Sequence, residues 1–200
     1  MLVTNSRLLG TPVLSVQYGK PIGHLSSAIV DPDTLKILAF RINDAPDSTA
    51  NLLDVKSIRE YSNLGAVIDD VDELVGPEDV IRIKEVLDLN FDLLTLKVET
   101  KKGSKLGHVI DFTVTPEDFT IQQLIVKRPA IKALVDPELT IPRTEIVEIT
   151  DYKVIVKDEE KTIKARAEKE DFVPNFVNPF RKADFAPADT ESANTEEPKD

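Results

Sequence analysis

Gly19-Lys20-Pro21-Ile22-Gly23-His24-Leu25 is written a second time, 84 residues on, as Gly103-Ser104-Lys105-Leu106-Gly107-His108-Val109. Both glycines and the only two histidines of the chain fall at matching places. Self-similarity at a fixed spacing marks a repeated structural unit, and it reorganises the reading of everything around it. The same spacing lays Pro32 over Pro116, Leu35 over Phe119 and Ile37 over Ile121, and upstream it pairs Leu9 with Leu93, Thr11 with Thr95 and Leu14 with Val98. Further on the spacing becomes 88, where Ile58 to Ile68 aligns with Ile146 to Val156. The length difference falls in an intervening loop, where insertions cost least.

Each unit reads as short strands between turns. In the second copy the expected strands are 93–100, 106–115, 119–127, 146–149 and 152–156. Gly103 supplies the first turn and Pro116 the second. Ile110, Phe112 and Val114 alternate with Asp111, Thr113 and Thr115, the period of a half-buried strand. The first copy is expected to repeat this over 13–17, 22–30, 35–42, 55–60 and 66–70. Five or six short strands in so few residues bury little as a flat layer, so a curled or closed sheet is expected in each copy. Between the copies, Gly76-Pro77-Glu78-Asp79 has the form of a helix start, and Val80, Ile83 and Leu87 follow at helical spacing. That helix either packs one copy against the other or caps a single copy.

The fold class that follows is mostly β: two tandem small β-barrels joined by a short helix, with a flexible C-terminal tail. The domains are expected at 1–75 and 91–157, with a helical connector at 76–90 and a charged tail at 158–200.

The stretch Leu8-Leu9-Gly10-Thr11-Pro12-Val13, the Gly23-His24 step and the Asp31-Pro32-Asp33-Thr34 turn resemble the PRC-barrel family. The second copy carries the resemblance again in Leu106-Gly107-His108-Val109 and Thr115-Pro116-Glu117-Asp118. This barrel occurs in the H subunit of photosynthetic reaction centres and in the carboxy-terminal half of the ribosome-maturation factor RimM. The resemblance implies a non-enzymatic domain that engages partner proteins, and it brings no catalytic residue with it. A RimM-like ribosome-assembly or RNA-associated role is the alternative.

Composition narrows the function classes. The chain of 200 residues has a net charge of −11, and every third of it is net negative. Such a surface offers no general attraction to phosphate, so direct nucleic-acid binding is not expected. With no cysteine, disulfides and thiolate metal sites are excluded. Neither a phosphate-cradling glycine loop nor a GxSxG elbow occurs. His24 and His108 read as turn-flanking structural residues, and Asp69-Asp70-Val71-Asp72-Glu73 as a solvated turn lacking the glycine and spacing of a calcium loop. No enzymatic activity, cofactor or metal is expected. No apolar run approaches the roughly 20 residues of a membrane-spanning helix, and residues 1–7 lack the features of a secretory signal, so a cytoplasmic location is expected.

The tail holds four of the eight phenylalanines, Phe172, Phe176, Phe180 and Phe185, together with Arg181. Pro174 and Pro179 prevent a continuous helix there. These five residues either fold back onto a barrel or form the expected partner contact, with protein recognition preferred over a membrane surface in the second case.

Overall fold

The computed structural model describes residues 2–129 and 137–158, which lie within one compact unit, Met1–Lys161. The unit is mostly β. The first copy contributes β2 (Pro12–Ser15), β3 (Lys20–Asp31), β4 (Lys36–Asn43), β5 (Leu52–Asp54), β6 (Glu60–Ser62) and β7 (Gly65–Ile68). The second contributes β9 (Lys97–Thr100), β10 (Lys105–Thr115), β11 (Thr120–Lys127), β12 (Glu138–Pro142), β13 (Ile146–Ile149) and β14 (Lys153–Val156). A two-residue strand β1 (Val3–Thr4) and a single helical turn α1 (Asn5–Leu8) precede the first copy. Strand β8 (Leu74–Val75) and helix α2 (Ile81–Asp88) lie between the copies.

The two sets have one topology. In the first, the order is β6-β7-β2-β3-β4-β5, all antiparallel except the parallel pair β2 and β7. In the second it is β13-β14-β9-β10-β11-β12, again with one parallel pair, β9 and β14. Even the irregularities recur. Strand β3 is bulged between Leu25 and Ser27 and between Ile29 and Val30, and β10 is bulged at the matching places, Val109/Asp111 and Thr113/Val114. A bulge bends the strand and increases its local twist, and both copies carry that bend at the same places.

Three expectations are corrected by this geometry. Ile110 does not share the inward face of Phe112 and Val114. It is the extra residue of the first bulge and is 37% exposed, while Val109 takes the buried place. One inserted residue reverses the phase of a period-two pattern. Residues 55–59 are not a strand, which resumes only at Glu60: Asp54 accepts the Lys56 N–H and winds Val55–Ser57 into a 3-10 turn. Upstream of the first hairpin the true spacing between copies is 85 rather than 84. Gly10 donates to the Leu25 carbonyl as Thr95 does to that of Val109, and buried Val13 matches buried Val98. The first copy has one more residue between Val13 and Gly23 than the second has between Val98 and Gly107.

Closed barrels are not formed by strand pairing among the described residues. β4 and β11 pair with each other at Lys36 and Thr120, so the two sheets continue into one another instead of each closing on itself. The core is correspondingly shared. One cluster contains Leu25, Ile37 and Phe40 from the first copy and Val109, Phe112, Phe119 and Leu124 from the second.

Helix α2 caps one copy. Ile83 is buried with Ile29, Ala39 and Leu52, all of the first copy. Its start is later than the sequence signal suggests. Pro77 sits inside a turn closed by the Asp79 N–H on the Gly76 carbonyl, and the Asp79 carboxylate accepts the Gly76 N–H in return, which places the first helical residue at Ile81. Arg82, on the next turn, pairs with the buried Asp31 carboxylate of β3 at 2.8 Å and fixes the helix to the sheet.

Candidate binding groove between the repeats

The copies meet about an approximate twofold axis. The Ile37 N–H donates to the Phe119 carbonyl at 3.0 Å, and the Ile121 N–H donates to the Leu35 carbonyl at 2.9 Å. Leu35 and Phe119 are equivalent residues, as are Ile37 and Ile121, so these two bonds are images of each other. Around them the match is imperfect. Phe119 packs edge-on against Phe40 and Tyr61 of the first copy, with ring centroids 5.6 and 6.5 Å apart. Arg143 reaches from the second copy to the carbonyls of Thr34 and Leu35 at 2.7 and 3.1 Å, whereas its counterpart in the first copy is Val55.

The arms that precede each copy contact the opposite copy. β1 pairs with β10 through Val3–Val114 and Thr4–Thr113, and the Ser6 N–H donates to the Asp111 carboxylate. Helix α2, which precedes the second copy, lies on β3 of the first.

On one side of this junction the first arm, β6 and the Pro116–Glu117 turn of the second copy enclose a groove of about 400 Å³. Arg7 lines it from the arm, Tyr61, Ser62 and Asn63 from β6 and its turn, and Glu117 from the opposite wall. β6 is a sheet edge, paired with β7 alone among the described residues. A strand edge presents unpaired backbone donors and acceptors. The guanidinium of Arg7 is exposed and makes no hydrogen bond or ion pair among the described residues. The groove therefore combines an open strand edge, an aromatic wall and an uncommitted cation.

Tyr61, Pro116 and Glu117 all fall between the expected strands and carried no site signal, because the groove exists only once the two copies meet. The expected contacts Phe172, Phe176, Phe180, Arg181 and Phe185 lie outside the described residues. His24 and His108 are exposed, and His24 Nδ1 lies 3.7 Å from the Asp44 carboxylate. The glycine before each has a steric cause. A side chain on Gly23 would approach the Asn43 carbonyl to 2.6 Å, and one on Gly107 the Lys127 carbonyl to 1.9 Å. The acidic run at 69–73 forms a short turn in which Asp70 accepts the Asp72 N–H, and Asp69 pairs with Arg59. No group of three or more metal-ligating side chains occurs among the described residues, and no helix there is long and apolar enough to cross a membrane.

No family model matches this chain, and no curated protein matches it either.

Proposed function

We propose that this chain is a tandem PRC-barrel protein that acts without catalysis, as an adaptor holding a partner protein in the groove between its two copies. The observation that carries the reading is the juxtaposition of edge strand β6 with the exposed Arg7 guanidinium, which has no partner among the described residues. An extended partner segment adds its backbone hydrogen bonds to such an edge, and flanking pockets select its side chains. Arg7 favours a segment bearing a carboxylate, with bidentate geometry available to the guanidinium. The family kinship is supported by the duplicated turn and glycine–histidine pattern, now with one strand order and one set of bulges in both copies. In this reading Phe172, Phe176, Phe180, Arg181 and Phe185 add an accessory contact.

Affinity capture with the full chain, an Arg7→Glu/Asn63→Trp variant and a chain ending at residue 171 tests the proposal. The expected result is a protein set retained by the full chain, lost with the groove variant and weakened by the truncation. Partners that bind the groove variant unchanged would place the interface elsewhere. Recovery of ribosomal proteins or small-subunit precursors would favour the ribosome-assembly alternative.

A further inference from the structure

Three lysines and a histidine of the second copy stand in one row across its sheet. Lys153 of β14 is the register partner of Lys97 on β9, Lys97 that of His108 on β10, and His108 that of Lys127 on β11. Register partners project from the same face of a sheet. Their chain neighbours Val154, Val98, Val109 and Val126 are all buried, so the row itself faces solvent. Lys97, His108 and Lys127 are exposed and Lys153 is partly so. The row is not neutralised where it stands. Lys153 pairs with Glu99 at 3.1 Å, and Glu138 of β12 adjoins Lys127 at the far end. The side chains of Lys97 and Lys127 make no ion pair among the described residues. Like charges directly opposite each other on neighbouring strands oppose folding, and Lys97 lies opposite Lys153. The first copy supplies the comparison. Its equivalent positions are Gly65, Pro12, His24 and Asn43, without a single lysine. The shared fold is thus built without the row, and the second copy keeps it against its own stability.

We propose that this row is a docking surface for an extended acidic protein segment with carboxylates at alternate positions. Neighbouring strands lie roughly 4.8 Å apart, so the row spans roughly 14 Å, and an extended segment repeats its side chains on one face roughly every 6.6 Å. Alternating carboxylates of one short segment therefore cover the row, and the end over Glu138 takes a neutral or basic residue. The electrostatics favour a short occupant. Screening confines the attraction to within roughly 10 Å of the lysines, while the net charge of −11 opposes a long polyanion such as nucleic acid. None of the four residues lines the groove at β6.

Titration of the full chain into a fluorescein-labelled octapeptide of alternating glutamate and serine, followed by fluorescence anisotropy, tests the surface. Saturable binding is expected at low salt, weakening about tenfold as salt rises from about 50 to about 300 mM. Lys97→Glu/Lys127→Glu should weaken it by about tenfold or more. Lys20→Glu/Lys56→Glu in the first copy changes the net charge equally and should leave binding within about twofold of the parent. Lys97→Met keeps the aliphatic stem, so it should weaken binding and yet raise the thermal midpoint. Absence of saturable binding would overturn the proposal, as would equal losses from the two pairs of reversals or a lower midpoint for Lys97→Met. Octathymidylate bound as tightly as the peptide would make the row a nucleic-acid contact and overturn the assigned partner.

Discussion

Leu35 and Phe119 occupy the same place in the two copies and share one uncommon backbone conformation, with φ of 50° and 51°. Each is a buried apolar residue in the left-handed region, where a bulky side chain normally costs energy. The conformation is maintained because each residue closes its own turn and also offers its carbonyl to the other copy's strand, at Ile121 and Ile37. Strain and association are therefore paired at one point. The junction behaves as the interface of an intramolecular dimer, with the hydrophobic core continuous across it.

Phe119→Ala removes a buried ring from between Phe40 and Tyr61 and leaves the left-handed backbone in place. The expected cost is about 3–5 kcal/mol. Because the ring of one copy lies in the core of the other, urea unfolding should remain a single transition at a lower midpoint, with fluorescence and circular dichroism coincident. Two separated transitions would mean that the copies do not share a cooperative core.

The duplication was legible because turns and close approaches demand particular residues. Gly23 and Gly107 cannot carry a side chain, and Pro32 and Pro116 open equivalent turns. What alternation alone could not reveal was phase. Val13 and Leu14 are both apolar, so the sequence could not tell which of them matches Val98, and the shift to 85 emerged only from hydrogen bonding. The bulge at Ile110 is equally silent in a pattern that alternates without a break. The groove was least legible, since Arg7, Tyr61 and Glu117 are brought together only by an arm and a turn from opposite copies.

Thr95 takes φ 83° where the first copy has Gly10 at φ 81°. A β-branched residue in that region is strained, and this one is exposed, so little packing offsets the strain. Thr95→Gly should stabilise the protein by about 1 kcal/mol, and Gly10→Thr should destabilise it by at least that much. Thermal melts of the two variants against the parent decide the matter, and a lower midpoint for Thr95→Gly would contradict the backbone argument.

Gly107→Ala and Gly103→Ala separate steric from conformational causes. A Cβ at Gly103 meets nothing within 4 Å, so only the positive φ of 81° opposes it, and the expected cost is about 1 kcal/mol. At Gly107 the added carbon would lie 1.9 Å from the Lys127 carbonyl oxygen, a backbone atom of the paired strand. The ladder must open to admit it, at a cost on the order of 3 kcal/mol. Equal destabilisation by the two substitutions, measured by urea denaturation, would refute the close-approach explanation.

Asp31 links helix α2 to the sheet and carries the clearest pH dependence. Burial raises its carboxyl pKa, but the hydrogen bonds from Arg82, from the Thr34 hydroxyl and from the Asp33 and Thr34 N–H groups outweigh burial, so the net pKa lies below the ordinary value of 3.8. A carboxylate whose folded pKa is depressed contributes stability fully above its unfolded pKa and loses it as pH falls through the folded one. The contribution is therefore present at neutral pH and disappears at acid pH below the ordinary carboxylate range. Arg82→Met keeps the aliphatic cover and removes the cation, leaving the buried carboxylate opposed by burial with fewer compensating bonds. The Asp31 pKa should then rise, the acid-unfolding midpoint should move to higher pH, and stability at pH 7 should fall by about 1–3 kcal/mol. Carboxyl-detected NMR titration reads the first effect directly. An Asp31 pKa unmoved by Arg82→Met would show that the local turn alone, and not the helix, holds the charge.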